Sequence, residues 1–93
     1  MPKYPAVLRD ISILVSKDFR IGEIIEKISN ASSILEDVDL IDEYWEKSFS
    51  NNQSLNFRLI FQSEEKTLTD EEVDEELKKI KNLLYKDFRV QIR

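Results

Sequence analysis

The sequence predicts an α+β sandwich of order β-α-β-β-α-β: a four-stranded antiparallel sheet with two helices on one face. Three observations carry that prediction. Leu55, Phe57, Leu59 and Phe61 alternate with Ser54, Asn56, Arg58, Ile60 and Gln62, the period of a strand with one face covered. Ile21, Ile24, Ile25 and Ile28 fall at the i, i+3, i+4, i+7 spacing of an amphipathic helix. Thr69-Asp70-Glu71-Glu72 spells a capping box, in which the hydroxyl accepts from the third helical N–H and Glu72 reaches back to the cap.

The elements follow in order. Val7 to Ser16 is the first strand, with Ile11, Ile13 and Val15 alternating against Asp10, Ser12 and Ser16. Lys17-Asp18 turns the chain into the first helix, which ends within Asn30 to Ser33. Leu35 to Lys47 is a second extended segment, closed by the polar loop Ser48 to Asn52, and the third strand follows. The second helix buries a stripe of Val73, Leu77, Ile80 and Leu84, and its first-turn acids suit the positive end of the helix dipole. Arg89 to Ile92 supplies a short last strand. This order commonly closes as a ferredoxin-like sandwich. The sheet face without helices is then the expected working surface.

Composition narrows the function. A chain of 93 residues supports one core, so residues 1–93 are expected to form one domain, excised from a longer chain. No apolar run approaches the roughly 18–20 residues of a membrane span, and the start Met1 to Pro5 is too short and polar for a signal peptide. The absence of cysteine removes disulfides, thiolate nucleophiles and zinc–thiolate sites, and a cytoplasmic home is expected. The absence of histidine removes the usual general base and the commonest metal ligand. With a single glycine there is no glycine-rich phosphate loop. A binding domain without catalysis is the expectation. The net charge of −5 does not forbid a nucleic-acid partner, because residues 64–76 hold eight acids against Lys66 alone, and bases outnumber acids elsewhere.

Strand parity selects candidates on the open face. Phe57 and Phe61 share parity with Leu55 and Leu59, so they belong to the core rather than to a base-stacking platform. Ser54, Asn56 and Arg58 face the other way. Asp42 and Tyr44 share one face, yet Val38 and Leu40 have the same parity and read as core. A β-bulge near Leu40-Ile41 would switch faces and turn Asp42 and Tyr44 outward. A carboxylate acceptor beside an aromatic plate suits a nucleobase, whose ring stacks while its N–H groups donate. The blander alternatives are a half-buried sheet aromatic for Tyr44 and a solvated acid for Asp42. Arg9-Asp10 reads as a local ion pair, and the acids of 70–76 as a solvated helix face rather than a metal site.

Four strings occur in order: Lys3-Tyr4-Pro5-Ala6-Val7-Leu8-Arg9-Asp10-Ile11-Ser12, Leu40-Ile41-Asp42-Glu43-Tyr44, Ser54-Leu55-Asn56-Phe57-Arg58-Leu59, and Phe61-Gln62-Ser63 followed by Lys66-Thr67-Leu68-Thr69-Asp70-Glu71-Glu72-Val73. Together they closely resemble the ferredoxin-fold anticodon-binding domain that ends the β subunit of bacterial phenylalanyl-tRNA synthetase, across essentially the whole chain. The resemblance implies that the open sheet grips the anticodon arm of phenylalanine tRNA, with Tyr44 stacking on the first anticodon base and Asp42 bonding its edge. Ser12 and Ser54 would line the same site. It further implies an α2β2 parent enzyme that binds ATP and magnesium elsewhere, with no cofactor in this domain and no membrane partner. Three departures stand out: a short, uncharged Ser50-Asn51-Asn52-Gln53 loop where the family usually has a basic one with Gly or Pro, Glu43 at a usually apolar position, and Arg89 in place of a common glycine. Two other classes remain open on this superfold, a protein-interaction or regulatory module and a small hydrolase of the acylphosphatase type. The hydrolase would need an anion-cradling loop, and none precedes Arg20.

Overall fold

The computed structural model describes residues 4–93. The six predicted elements form in the predicted order: β1 (Val7–Ser16), α1 (Ile21–Ser29), β2 (Leu35–Tyr44), β3 (Asn52–Phe61), α2 (Asp70–Phe88) and β4 (Gln91–Ile92). The sheet runs β2-β3-β1-β4, with every neighbouring pair antiparallel. α1 and α2 pack together over one face of the sheet, the ferredoxin-like arrangement.

Burial follows the alternation. Ile11, Ile13 and Val15 of β1 and Leu55, Phe57, Leu59 and Phe61 of β3 point under the helices and are buried. Ile24 and Ile28 of α1 meet them, as do Val73, Ile80, Leu84 and Phe88 of α2, while Ile21, Ile25 and Leu77 are only partly covered. Each such aliphatic or aromatic side chain contributes about 1.5–3 kcal/mol of transfer free energy, so the paired strands and two helical stripes are the main source of stability. An edge-to-face contact between Phe19 and Phe88, with centroids 4.9 Å apart, and a 3.0 Å Lys27–Asp87 ion pair tie the start and flank of α1 to the end of α2.

The capping box is complete: the Glu72 N–H donates to Thr69 Oγ1 at 3.2 Å, and the Thr69 N–H donates to Glu72 Oε1 at 3.3 Å. α1 starts less firmly, because Arg20 at its N-cap offers no capping side chain.

Two boundaries and one ion pair differ from expectation. β2 stops at Tyr44, and Lys47–Phe49 forms a 3₁₀ turn instead of continuing the strand. β4 has two residues, because Arg89 takes the left-handed conformation (φ 55°, ψ 36°) as the cap of α2 and cannot also be extended strand. Arg9 and Asp10 do not pair with each other. Their side chains leave opposite faces of β1, so Arg9 reaches Asp70 at 3.2 Å and Asp10 reaches Arg58.

β2 decides the composition of the open face. Its pairing with β3 slips between Leu35 and Asp37 and again between Leu40 and Asp42, leaving Glu36 and Ile41 as extra residues. Before the second slip, Val38 and Leu40 lie against the core; after it, Asp42 sits opposite Asn56 and Tyr44 opposite Ser54. The face switch expected near Leu40-Ile41 is present.

Candidate nucleic-acid interface

Strand register arranges the open face in rows. Leu14, Ser54 and Tyr44 form one row across β1, β3 and β2; Ser12, Asn56 and Asp42 form the next; Asp10, Arg58 and Asp39 the third. Strands about 4.8 Å apart and rows about 7 Å apart make a patch close to the size of one nucleotide. The six residues selected from the sequence, Ser12, Asp42, Tyr44, Ser54, Asn56 and Arg58, all fall within these three rows.

The middle row sets a hydrogen-bond donor beside acceptors. Ser12 Oγ donates to Asn56 Oδ1, which occupies the amide oxygen and leaves the Asn56 NH₂ as a donor. Asp42 is exposed on the neighbouring strand and contributes acceptors only when ionised. Donor and acceptor thus stand side by side. Below them opens a depression of about 310 Å³, lined chiefly by Asp10, Ser12, Ile41, Asn56, Ile92 and Arg93.

Tyr44 borders this row and is 52% exposed. Its hydroxyl donates to Glu46 Oε2 at 2.9 Å, and its ring meets Phe49 edge-to-face with centroids 5.8 Å apart. Glu46 also accepts from Ser48 Oγ at 2.6 Å. The Ser48 bond first, then the Tyr44 bond, hold the Glu46 carboxyl below its ordinary pKa, and the same Glu46 bond pushes the Tyr44 phenol up. The ring is thus clamped at the hydroxyl and at one edge. Trp45 lies beside it, its Nε1–H donating to the Ser50 carbonyl at 2.9 Å and Lys17 Nζ standing 4.1 Å from its ring centroid.

Two of the sequence candidates occupy different settings from the rest. Ser54 is buried, at 6% exposure, so it forms floor rather than rim. Arg58 spends its guanidinium on a two-pronged pair with Asp10, Nε at 2.9 Å and Nη2 at 3.1 Å, and that bond holds the Asp10 carboxyl below its ordinary value. Sequence reasoning did not single out Glu46, Phe49 or Arg93. Phe49 lies on a 3₁₀ turn with no periodicity to reveal its direction. Arg93 lies one residue beyond β4 and reaches the site because its N–H donates to the Ser12 carbonyl at 2.8 Å.

The acids of α2 are engaged as a helix surface. Asp70 pairs with Arg9, Glu72 with Lys66 at 2.6 Å, and Glu76 with Lys79 at 2.5 Å and the Ser32 hydroxyl at 2.7 Å. Among the described residues no helix is long and apolar enough to cross a membrane.

A sheet covered by two helices on one face, with a clamped aromatic beside an amide and a carboxylate on the other, defines a ferredoxin-like domain with one open face. The chain belongs to the ferredoxin-fold anticodon binding domain family, which matches residues 2–93. Its curated relatives include the phenylalanine–tRNA ligase beta subunits of Nitrosospira multiformis (38% identical over 93 residues, 98% of this chain and 12% of that protein), Bacillus cereus (34% over 95 residues, 100% and 12%) and Clostridium acetobutylicum (39% over 88 residues, 92% and 11%). The chain thus spans about 12% of the length of the relatives it matches.

Proposed function

We propose that this domain binds the anticodon stem-loop of phenylalanine tRNA through its open sheet face, as one part of a phenylalanine–tRNA ligase beta subunit whose chemistry takes place elsewhere. On this reading the remainder of the beta subunit and the alpha subunit of an α2β2 enzyme are its protein partners, and ATP and magnesium bind outside it. The single observation that supports it best is the Ser12–Asn56–Asp42 row beside the exposed Tyr44 ring. An unpaired base laid on Tyr44 would meet a donor from Asn56 for a ring keto or aza group and an acceptor from Asp42 for an imino or amino group. The opposite end of the face carries Asp10, Asp37 and Asp39, with Arg58 paired to Asp10 among the described residues, so phosphates would be repelled there and RNA would approach from the Tyr44 end.

The test is titration of isotopically labelled domain with the anticodon hairpin of phenylalanine tRNA. Resonances of Ser12, Asp42, Tyr44 and Asn56 should shift, and an unrelated anticodon hairpin should shift them less. Tyr44→Ala should weaken binding by about 1–3 kcal/mol, the stacking contribution of one base. Shifts confined to α2, or an equal response to both hairpins, would refute the assignment.

A further inference from the structure

Arg93 has a setting that base recognition alone does not use. Its backbone is pinned to β1 by the 2.8 Å bond to the Ser12 carbonyl, and its guanidinium carbon stands 5.3 Å from the centroid of Phe49, the ring that buttresses Tyr44. Its positive charge is felt at both Tyr44 and Glu46, where it acts to lower their pKa values against the larger opposing or reinforcing hydrogen bonds. It also lines the depression that holds Ser12 and Asn56.

Of the other cations near this face, Lys81 lines the depression from α2 and Lys47 lies in the 3₁₀ turn, while two more are engaged. Arg58 is spent on Asp10, and Lys17 rests on Trp45. Arg93 is exposed, and it makes no ion pair or side-chain hydrogen bond among the described residues. A planar, permanently charged fork with uncommitted donors, held at the rim of a nucleotide-sized patch and supported by an aromatic ring, has the chemistry of a phosphate ligand.

We propose that Arg93 binds the phosphate of the nucleotide whose base lies between Tyr44 and the Ser12–Asn56–Asp42 row. The inference rests on the RNA-binding reading above and adds an electrostatic contact to it. The base would be read by stacking and by the middle row, while Arg93 would fix the position of its backbone and so the register of the loop on the sheet.

The experiment measures affinity for the phenylalanine anticodon hairpin as a function of salt for the native chain, Arg93→Gln, Arg93→Lys and a control, Lys78→Gln, on the exposed surface of α2. Removing one phosphate contact from a single-stranded loop should weaken binding roughly tenfold at low salt and make the log–log salt slope shallower by about 0.7. Arg93→Lys should keep the native slope while losing part of the affinity, because it retains the charge without the fork. Lys78→Gln should change neither. If Arg93→Gln weakens binding by the same factor at every salt concentration, Arg93 acts only by packing on Phe49 and the proposal is overturned; an unchanged affinity overturns it as well. If the native chain fails to distinguish this hairpin from an unrelated one, the RNA-binding reading itself fails, which the native titration alone reveals.

Discussion

Ser50 sits at φ 56°, ψ −120°, the dihedrals of the first central residue of a type II′ turn, where glycine is the natural occupant. A side chain there crowds its own backbone, at a cost on the order of 1–3 kcal/mol. The Ser50 hydroxyl offsets none of it, since the interactions of this residue run through its backbone: its N–H donates to the Lys47 carbonyl at 3.3 Å, and its own carbonyl accepts from Trp45 Nε1. Ser50→Gly keeps both bonds and removes the clash. Glycine's greater freedom in the unfolded chain takes back about 0.5–1 kcal/mol. The expected net is a stabilisation of about 1 kcal/mol, worth a rise of roughly 4–8 °C in Tm for a domain of this size. Thermal unfolding followed by circular dichroism, with urea titration for the free energy, measures it. Ser50→Ala is the discriminating control, because it removes the hydroxyl but keeps Cβ and should stabilise nothing. A Ser50→Gly variant no more stable than the native chain, or an alanine variant equally stabilised, would refute the strain argument.

Two further outcomes follow from named contacts. Thr69→Ala removes the hydroxyl half of the capping box, leaving the backbone N–H bond to Glu72, and should cost about 1 kcal/mol in urea unfolding; a loss within the error of the titration would mean that water caps α2 equally well. Acidification should destabilise the domain. The carboxyls of Asp10, Glu46, Glu72 and Glu76 are all held below their ordinary values, chiefly by hydrogen bonds from Arg58, Ser48, Lys66 and Lys79 respectively. A lowered folded-state pKa stabilises the protein above the unfolded-state value and loses that contribution as pH falls through the folded one. Tm should therefore hold from neutral pH down to about 4.5 and then decline, and a Tm that stays flat or rises below that point would contradict these pairings.

The parts of this molecule legible in its sequence are those where one physical period dominates. β3 alternates without interruption, so Leu55, Phe57, Leu59 and Phe61 went under the helices and Ser54, Asn56 and Arg58 to the open face. In β2 two alternations conflict, Val38 and Leu40 against Asp42 and Tyr44, and a bulge was the only geometry that satisfied both; Ile41 supplies it. The segment from Trp45 to Asn51 has no period. Its geometry is set by individual side-chain contacts, Trp45 Nε1–H on the Ser50 carbonyl and the Tyr44 hydroxyl on the Glu46 carboxylate, so the clamp on Tyr44 could not be read in advance. Arg58 illustrates a different limit. Its face followed from parity, but its engagement with Asp10 depends on the register of β1 against β3, which pairs those two residues directly. Arg89 was visible as a departure from glycine, and its left-handed conformation shows why β4 begins late.

The distribution of charge bears on how such a domain would hold RNA. The chain carries −5 overall, and two clusters of its acids lie in different places. Those of α2 lie on the helix layer, behind the sheet, where ion pairs with Arg9, Lys66 and Lys79 offset part of their charge. Asp10, Asp37 and Asp39 crowd one end of the open face, while at the Tyr44 end Lys17 and Arg93 stand among the acids Asp42 and Glu46. A field of this kind gives little long-range attraction to a polyanion, since charges of both signs oppose each other within about a Debye length. On the proposed reading, affinity must then come from short-range contacts: one stacked base, a donor–acceptor pair and few phosphates. Few phosphate contacts mean a shallow salt dependence and a weak complex for the domain alone. Specificity would survive that weakness, because the groups that read the base are not the groups that would supply non-specific attraction.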